Sequence, residues 1–96
     1  AQGYATQRCL DALAAHGIAD AFLNTGEIGI AGKRDSGEPW TAAIAHPRRT
    51  GEYIALVRPL AGVLATSGDY ATAFTPDLTS NHIFDPQSLH SPRRIA

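Results

Sequence analysis

The chain has 96 residues, 44% hydrophobic and 18% charged, with eight basic against nine acidic side chains and a net charge of -1. That composition is globular rather than disordered, and so short a chain buries only a modest core. The charge balance excludes a nucleic-acid binder that works by bulk positive charge and a polybasic membrane-surface segment. No apolar run approaches the roughly 20 residues that cross a bilayer. Ala1-Gln2-Gly3-Tyr4 carries no basic-then-apolar signal pattern. Cys9 is the single cysteine and has no internal disulfide partner, and methionine is absent even at position 1. A chain that starts in this way reads as a processed product or as a piece of something longer.

Ala5 to His16 reads as a helix. Ala5, Cys9, Ala12, Leu13 and His16 fall at helical spacing and predict the inward face, with Cys9 and Leu13 buried, while Gln7, Arg8, Asp11 and Ala15 lie opposite. Gly17 follows as a left-handed cap. The helix is short and rich in alanine, so it needs a partner surface to persist in water. Ile18 to Asn24 contains the adjacent apolar pair Phe22 and Leu23, which suits a strand buried on both faces. Thr25-Gly26-Glu27 breaks it, and Ile28 to Ala31 reads as a second strand. Asp35-Ser36-Gly37-Glu38-Pro39 is a run of turn formers, after which Trp40 to Ala45 reads as the returning strand of a hairpin. Pro47 ends it. Arg48-Arg49-Thr50-Gly51-Glu52 is a polar loop, and Tyr53 to Val57, continuing to Arg58 and Pro59, is β-rich. Leu60-Ala61-Gly62 turns the chain into Val63 to Thr66. Ser67 to Ala96 has loop character and little periodicity, which is long for a compact domain. The predicted class is α+β: an antiparallel meander with one helix packed on a face and a loop-rich C-terminal tail, together a single partial domain over residues 1–96.

Three stretches carry side chains suited to chemistry. Asn24-Thr25-Gly26-Glu27 ends a strand in a glycine turn, which permits close backbone approach by a ligand and equally makes a plain β-turn. Ala65-Thr66-Ser67-Gly68-Asp69-Tyr70 sets two hydroxyls, a glycine and a carboxylate directly after an apolar strand. Backbone N–H groups around a glycine form anion nests, hydroxyls donate to phosphate oxygens, and a tyrosine stacks on flat rings. It lacks the lysine of a P-loop, and Ser67 or Asp69 also serves as an N-cap. Asn81-His82-Ile83-Phe84-Asp85-Pro86 places a histidine and a carboxylate three apart, a pair that binds a metal, orients one another or works as a base, or else caps a loop. His16, His46 and His90 have no such company and read as surface or helix-end residues. Arg48-Arg49 and Arg93-Arg94 read as solvated loop charges, although an arginine pair also suits phosphate.

In this order the stretches resemble the ApbE family of flavin transferases. Gly3-Tyr4-Ala5 resembles that family's "KGYA" helix start, with Gln2 where lysine or glutamate is common. Asn24-Thr25-Gly26-Glu27-Ile28 resembles its glycine turn, and Trp40 to Pro47 its "W.I.I..P" strand. Ala65 to Tyr70 resembles "ATSGDY" almost letter for letter, and His82-Ile83-Phe84-Asp85-Pro86 resembles "HIIDP". Asn81 stands where a first histidine is common, and Leu89-His90 replaces the usual threonine-glycine. The resemblance spans essentially the whole chain.

The resemblance implies transfer of FMN from FAD to a Thr or Ser hydroxyl of an acceptor protein, with release of AMP and with magnesium. It implies His82 as catalytic base and Gln2, Gly26, Thr66, Ser67, Gly68, Asp69, Phe84 and Asp85 as FAD contacts. It implies no metal ligand within these residues, because the family's ligands would lie outside Ala1 to Ala96; family members are about three times as long, and the chain reads as the middle of one. It further implies a location in the periplasm or on the outer face of the bacterial cytoplasmic membrane. The chain alone is expected to be inactive, with exposed apolar edges and a tendency to self-associate. Magnesium-dependent FAD hydrolysis, with water in place of the protein hydroxyl, and a non-catalytic FAD-binding scaffold stay open beside the transferase reading.

Overall fold

Helix α1 (Gln2–Ala15) starts earlier than the apolar spacing predicts and stops where Gly17 takes a left-handed φ of 80°. The Gly17 N–H donates to the Ala14 carbonyl and the Ile18 N–H to the Leu13 carbonyl, each at 3.0 Å, so two otherwise orphaned carbonyls are satisfied in a Schellman cap. The inward face differs from the predicted one. Thr6 and Leu10 are buried and Leu13 is half-buried, while Ala5, Cys9, Ala12 and His16 are exposed. The set of positions 6, 10 and 13 has the same helical period, displaced by one residue. Polarity hides Thr6 from an apolar count, yet its hydroxyl donates to the Gln2 carbonyl at 3.1 Å and shares a 2.9 Å bond with the Thr25 hydroxyl, so it is buried with partners.

The computed structural model of the protein describes residues 1–93. They divide into two compact units, Ala1–Ile44 with Tyr53–Thr66, and Ala45–Glu52 with Ser67 onward. The first unit is an α+β layer. Strands β1 (Ala21–Asn24) and β2 (Ile28–Ala31) form an antiparallel hairpin with Ala21 opposite Ala31 and Asn24 opposite Ile28. Strand β5 (Gly62–Leu64) joins the other edge of β2, giving the order β1-β2-β5, and α1 packs on this sheet. Gly29 faces the helix: a Cβ there would stand 2.7 Å from Thr6 Cγ2 and 3.4 Å from Leu10, so the close approach of helix and strand requires glycine. Ile30, on the opposite face of β2, is 1% exposed. Its cross-strand partner Phe22 packs against Trp40 with ring centroids 5.5 Å apart.

Strand β3 (Ala42–Ala45) does not return along β2 as predicted; it pairs with β4 (Tyr53–Val57) in a separate two-stranded sheet. The turn between β2 and β3 does close, through Arg34 N–H to the Glu38 carbonyl at 2.9 Å and a single Lys33–Pro39 bridge. Pro39 has no N–H to extend a ladder, and β5 takes the edge of β2 instead. The meander is therefore interrupted by an excursion. No described helix is long and apolar enough to cross a membrane.

The second unit is built of turns, in line with the loop-rich tail. The His46 N–H donates to the Glu52 carbonyl at 2.8 Å, and Ala73 and Asn81 form an isolated bridge. Asn81 is the buried anchor of this unit. Its N–H donates to Ser91 Oγ at 2.9 Å, its carbonyl accepts from the same hydroxyl at 3.0 Å, its side-chain amide donates to the Leu78 carbonyl at 3.1 Å, and its side-chain oxygen accepts from the Ile83 N–H at 2.9 Å.

Candidate functional site

In the first unit, Thr25-Gly26-Glu27 links β1 to β2. Gly26 sits at φ 98°, and the Thr25 N–H donates to the Glu27 carbonyl at 3.1 Å. A Cβ on Gly26 would lie 3.9 Å from Gln2 Nε2, so the expected contact residues Gln2 and Gly26 are neighbours at the start of α1. Thr66 closes this unit after β5 and is exposed.

In the second unit, Ser67 is exposed whereas Gly68 and Asp69 are buried. The Tyr70 ring folds over Gly68 and occupies the place a Cβ would take, which accounts for glycine there. The Asp69 carboxylate, expected to line a nucleotide pocket, is held by Arg48: Nη1 donates to Oδ1 at 2.7 Å and Nη2 to Oδ2 at 2.5 Å. This bidentate pair holds Asp69 below the ordinary carboxylate range and raises Arg48 above its own. Arg48 is an exposed loop charge, as read, but its fork engages the buried Asp69 carboxylate. It and Asp69 stand 21 residues apart, and no local pattern announces the pair. Arg49 does behave as read, in an exposed ion pair with Glu52. Arg94 lies outside the described residues.

His82 is exposed and is held by one carbonyl. Its N–H donates to the Thr72 oxygen at 3.0 Å, and ring Nδ1 lies 3.3 Å from that oxygen. A carbonyl only accepts, so this contact is a hydrogen bond in the form that carries its hydrogen on Nδ1, and in the neutral ring of that form Nε2 is the acceptor. Asp85 takes the capping role rather than that of partner to His82. Its Oδ1 accepts from the Gln87 N–H at 2.9 Å and its Oδ2 from the Ser88 hydroxyl at 3.1 Å. These donors keep its carboxyl below the ordinary range. Thr72 orients the imidazole through its backbone, so no side chain in the sequence marks that role.

Phe84 lines a cavity of about 490 Å³ with Phe74, Asn81, Leu89, His90 and Arg93. Two phenyl faces beside a guanidinium suit a flat aromatic ligand bearing negative charge. His90, read as a surface residue, is thus also a cavity wall. A divalent ion fits this donor set poorly. Among the described residues no group of three His, Cys, Asp or Glu side chains is placed to hold one. Asp69, Asp77 and Asp85 spend their oxygens on Arg48, on Thr75 and Thr79, and on Gln87 and Ser88.

A family model described as the ApbE family matches residues 1–96. Neither the curated proteins nor the solved structures compared gave a match. The order of the glycine turn, the Ser67-Gly68-Asp69 turn and the His82 loop agrees with that match over the whole chain, and the chain belongs to the ApbE family, whose type of function is flavin transfer.

Proposed function

We propose that this chain serves an FAD:protein FMN transferase, in which FMN passes from FAD to a Thr or Ser hydroxyl of an acceptor protein and AMP is released. The observation that carries this reading is the His82 ring, oriented through Nδ1 by the Thr72 carbonyl with Nε2 left to accept a proton. The acceptor oxygen attacks the phosphorus on the FMN side of the pyrophosphate. The bond from that phosphorus to the bridging oxygen breaks, AMP departs with the bridging oxygen, and the hydroxyl proton goes to His82 Nε2. Ser67, in the same unit as His82, is an exposed hydroxyl suited to donate to a phosphate oxygen. Phe84 and Phe74 provide faces for stacking.

In the full-length protein, His82→Ala should lower FMN transfer about 100-fold under saturating FAD and magnesium, as loss of a general base typically does. FAD binding should persist, because a base contributes little ground-state affinity. Covalent flavin on the acceptor and free AMP are the two readouts. Near-normal transfer in His82→Ala removes His82 from the reaction. AMP and FMN released without acceptor labelling in the unmodified protein would assign water as the nucleophile, a course that the exposure of His82 favours as the second reading.

A further inference from the structure

Arg48 is not part of any motif in the chain, yet it makes the most closely fitted polar contact of the second unit. Both nitrogens of its fork meet both oxygens of Asp69, at 2.7 and 2.5 Å, and Asp69 is only 5% exposed. The arginine is itself fixed at its root. Its backbone N–H donates to His46 Nδ1 at 3.0 Å, and its Nη1 also reaches the Pro47 carbonyl at 3.2 Å. Asp69 lies inside a turn closed by the Ala71 N–H on the Gly68 carbonyl at 3.2 Å, with the Tyr70 ring packed on Gly68. The next residue is Thr72, whose carbonyl takes both contacts from His82. Two residues, Tyr70 and Ala71, thus separate Asp69 with its clamped carboxylate from Thr72, whose oxygen orients the imidazole. Residues 67–72 contain no helix or strand; the far end of the stretch is held by the Ala73–Asn81 bridge and the His82 N–H on the Thr72 carbonyl, and the near end by the Arg48 fork.

We infer that Arg48 is a positioning residue for His82: its forked bond to Asp69 fixes the Gly68–Ala71 turn and thereby sets the Thr72 carbonyl against Nδ1 of the ring. The catalytic consequence rests on the reading of His82 as the base; the structural coupling does not. A backbone oxygen free to drift by an ångström no longer selects one tautomer, and misplacements of that size cost up to about 100-fold in rate. Lysine is not an equivalent here, because a point charge cannot engage both carboxylate oxygens in one plane.

The test reads the ring before it reads activity. Nitrogen-15 NMR of the imidazoles, at a pH about two units above the ordinary histidine range, reports which nitrogen carries the hydrogen. The unmodified protein should show His82 as the Nδ1–H form. In Arg48→Ala the His82 signal should move toward the Nε2–H form that free imidazole favours, with the exposed neighbour variant Arg49→Ala unchanged. Arg48→Gln keeps length but loses the fork, and should shift the signal in the same direction if the alanine variant is too unstable to record. An unshifted His82 signal in a folded Arg48 variant overturns the inference, as does an Nε2–H form in the unmodified protein. In transfer assays the Arg48 variants should lose at least about tenfold in kcat, referred to the folded fraction read by circular dichroism, while KM for FAD stays within about twofold; partial unfolding alone leaves that corrected kcat unchanged. A protein that transfers no FMN, yet whose His82 signal shifts in the Arg48 variants, overturns the flavin-transferase reading and leaves the Arg48 coupling supported.

Discussion

Gly29 and Asp69 show how single residues are constrained by groups far away in the chain. A methyl group on Gly29 would sit 2.7 Å from Thr6 Cγ2, so either α1 lifts from β2 or the side chains strain. Gly29→Ala should destabilise the fold by about 1–3 kcal/mol, the range for overpacked cores, read as a lower urea midpoint. An unchanged midpoint would mean that α1 does not pack against β2 so closely. Asp69, Asp77 and Asp85 all titrate below the ordinary aspartate value of 3.8 in the folded chain. On unfolding each returns to roughly that value, so the unfolded chain binds more protons in acid. Their contribution is present above about pH 4 and is lost as pH falls through the folded values. Asp69→Asn should therefore lower stability at neutral pH and flatten the decline of the urea midpoint in acid. A decline as steep as in the parent would remove the Arg48–Asp69 pair from the acid response.

At the scale of elements, α1 and the β2–β3 turn carry opposite lessons. The end of α1 is decided locally. Gly17 adopts φ 80° with nothing within 4 Å of a would-be Cβ, so Gly17→Ala costs only backbone strain. That change should destabilise the protein by about 1 kcal/mol, with a matching drop in melting temperature. A neutral result would mean that the Schellman cap does not persist in solution. The β2–β3 turn forms as its turn residues dictate, but the strands beyond it part. Pro39 stops the ladder, and the Trp40 indole N–H donates to the Ala31 carbonyl at 3.1 Å in place of a backbone donor. Trp40→Phe should weaken that junction by about 1 kcal/mol, the usual net value of one hydrogen bond, with the near-UV signal of Phe22–Trp40 packing lost at the same time.

For the molecule as a whole, the notable surface is around β4. Tyr53, Ile54 and Leu56, on a sheet of only two strands, are each about 60% exposed, and Leu60 in the turn that follows is 74% exposed. Apolar side chains beside unpaired strand edges favour strand addition or face-to-face association. The 96-residue chain should therefore sediment as a concentration-dependent mixture. Ile54→Lys with Leu56→Lys should shift it toward monomer without changing its far-UV circular dichroism. A parent chain that stays monomeric across a 100-fold range of concentration would contradict this expectation.

What the sequence settled by itself is whatever is local. The helix stop at Gly17, the strands at Ile28–Ala31 and Tyr53–Val57, the glycine turn at Gly26 and the irregular stretch after Ser67 all follow from residues within a few positions of one another. The family followed from motif order, which needs no coordinates. The tertiary structure decided what depends on distant groups. Thr6 and Leu10 rather than Cys9 face the sheet, because a hydroxyl on Thr25 and the bare backbone of Gly29 make room for them. Strand β5 rather than β3 completes the first sheet, because Pro39 cannot donate. Arg48 and the Thr72 carbonyl lie beyond any sequence signal, since one acts across 21 residues and the other through its backbone alone. Hydrophobic period and turn chemistry are encoded along the chain. Partnership between charges and carbonyls far apart in sequence exists only once the chain has folded back on itself.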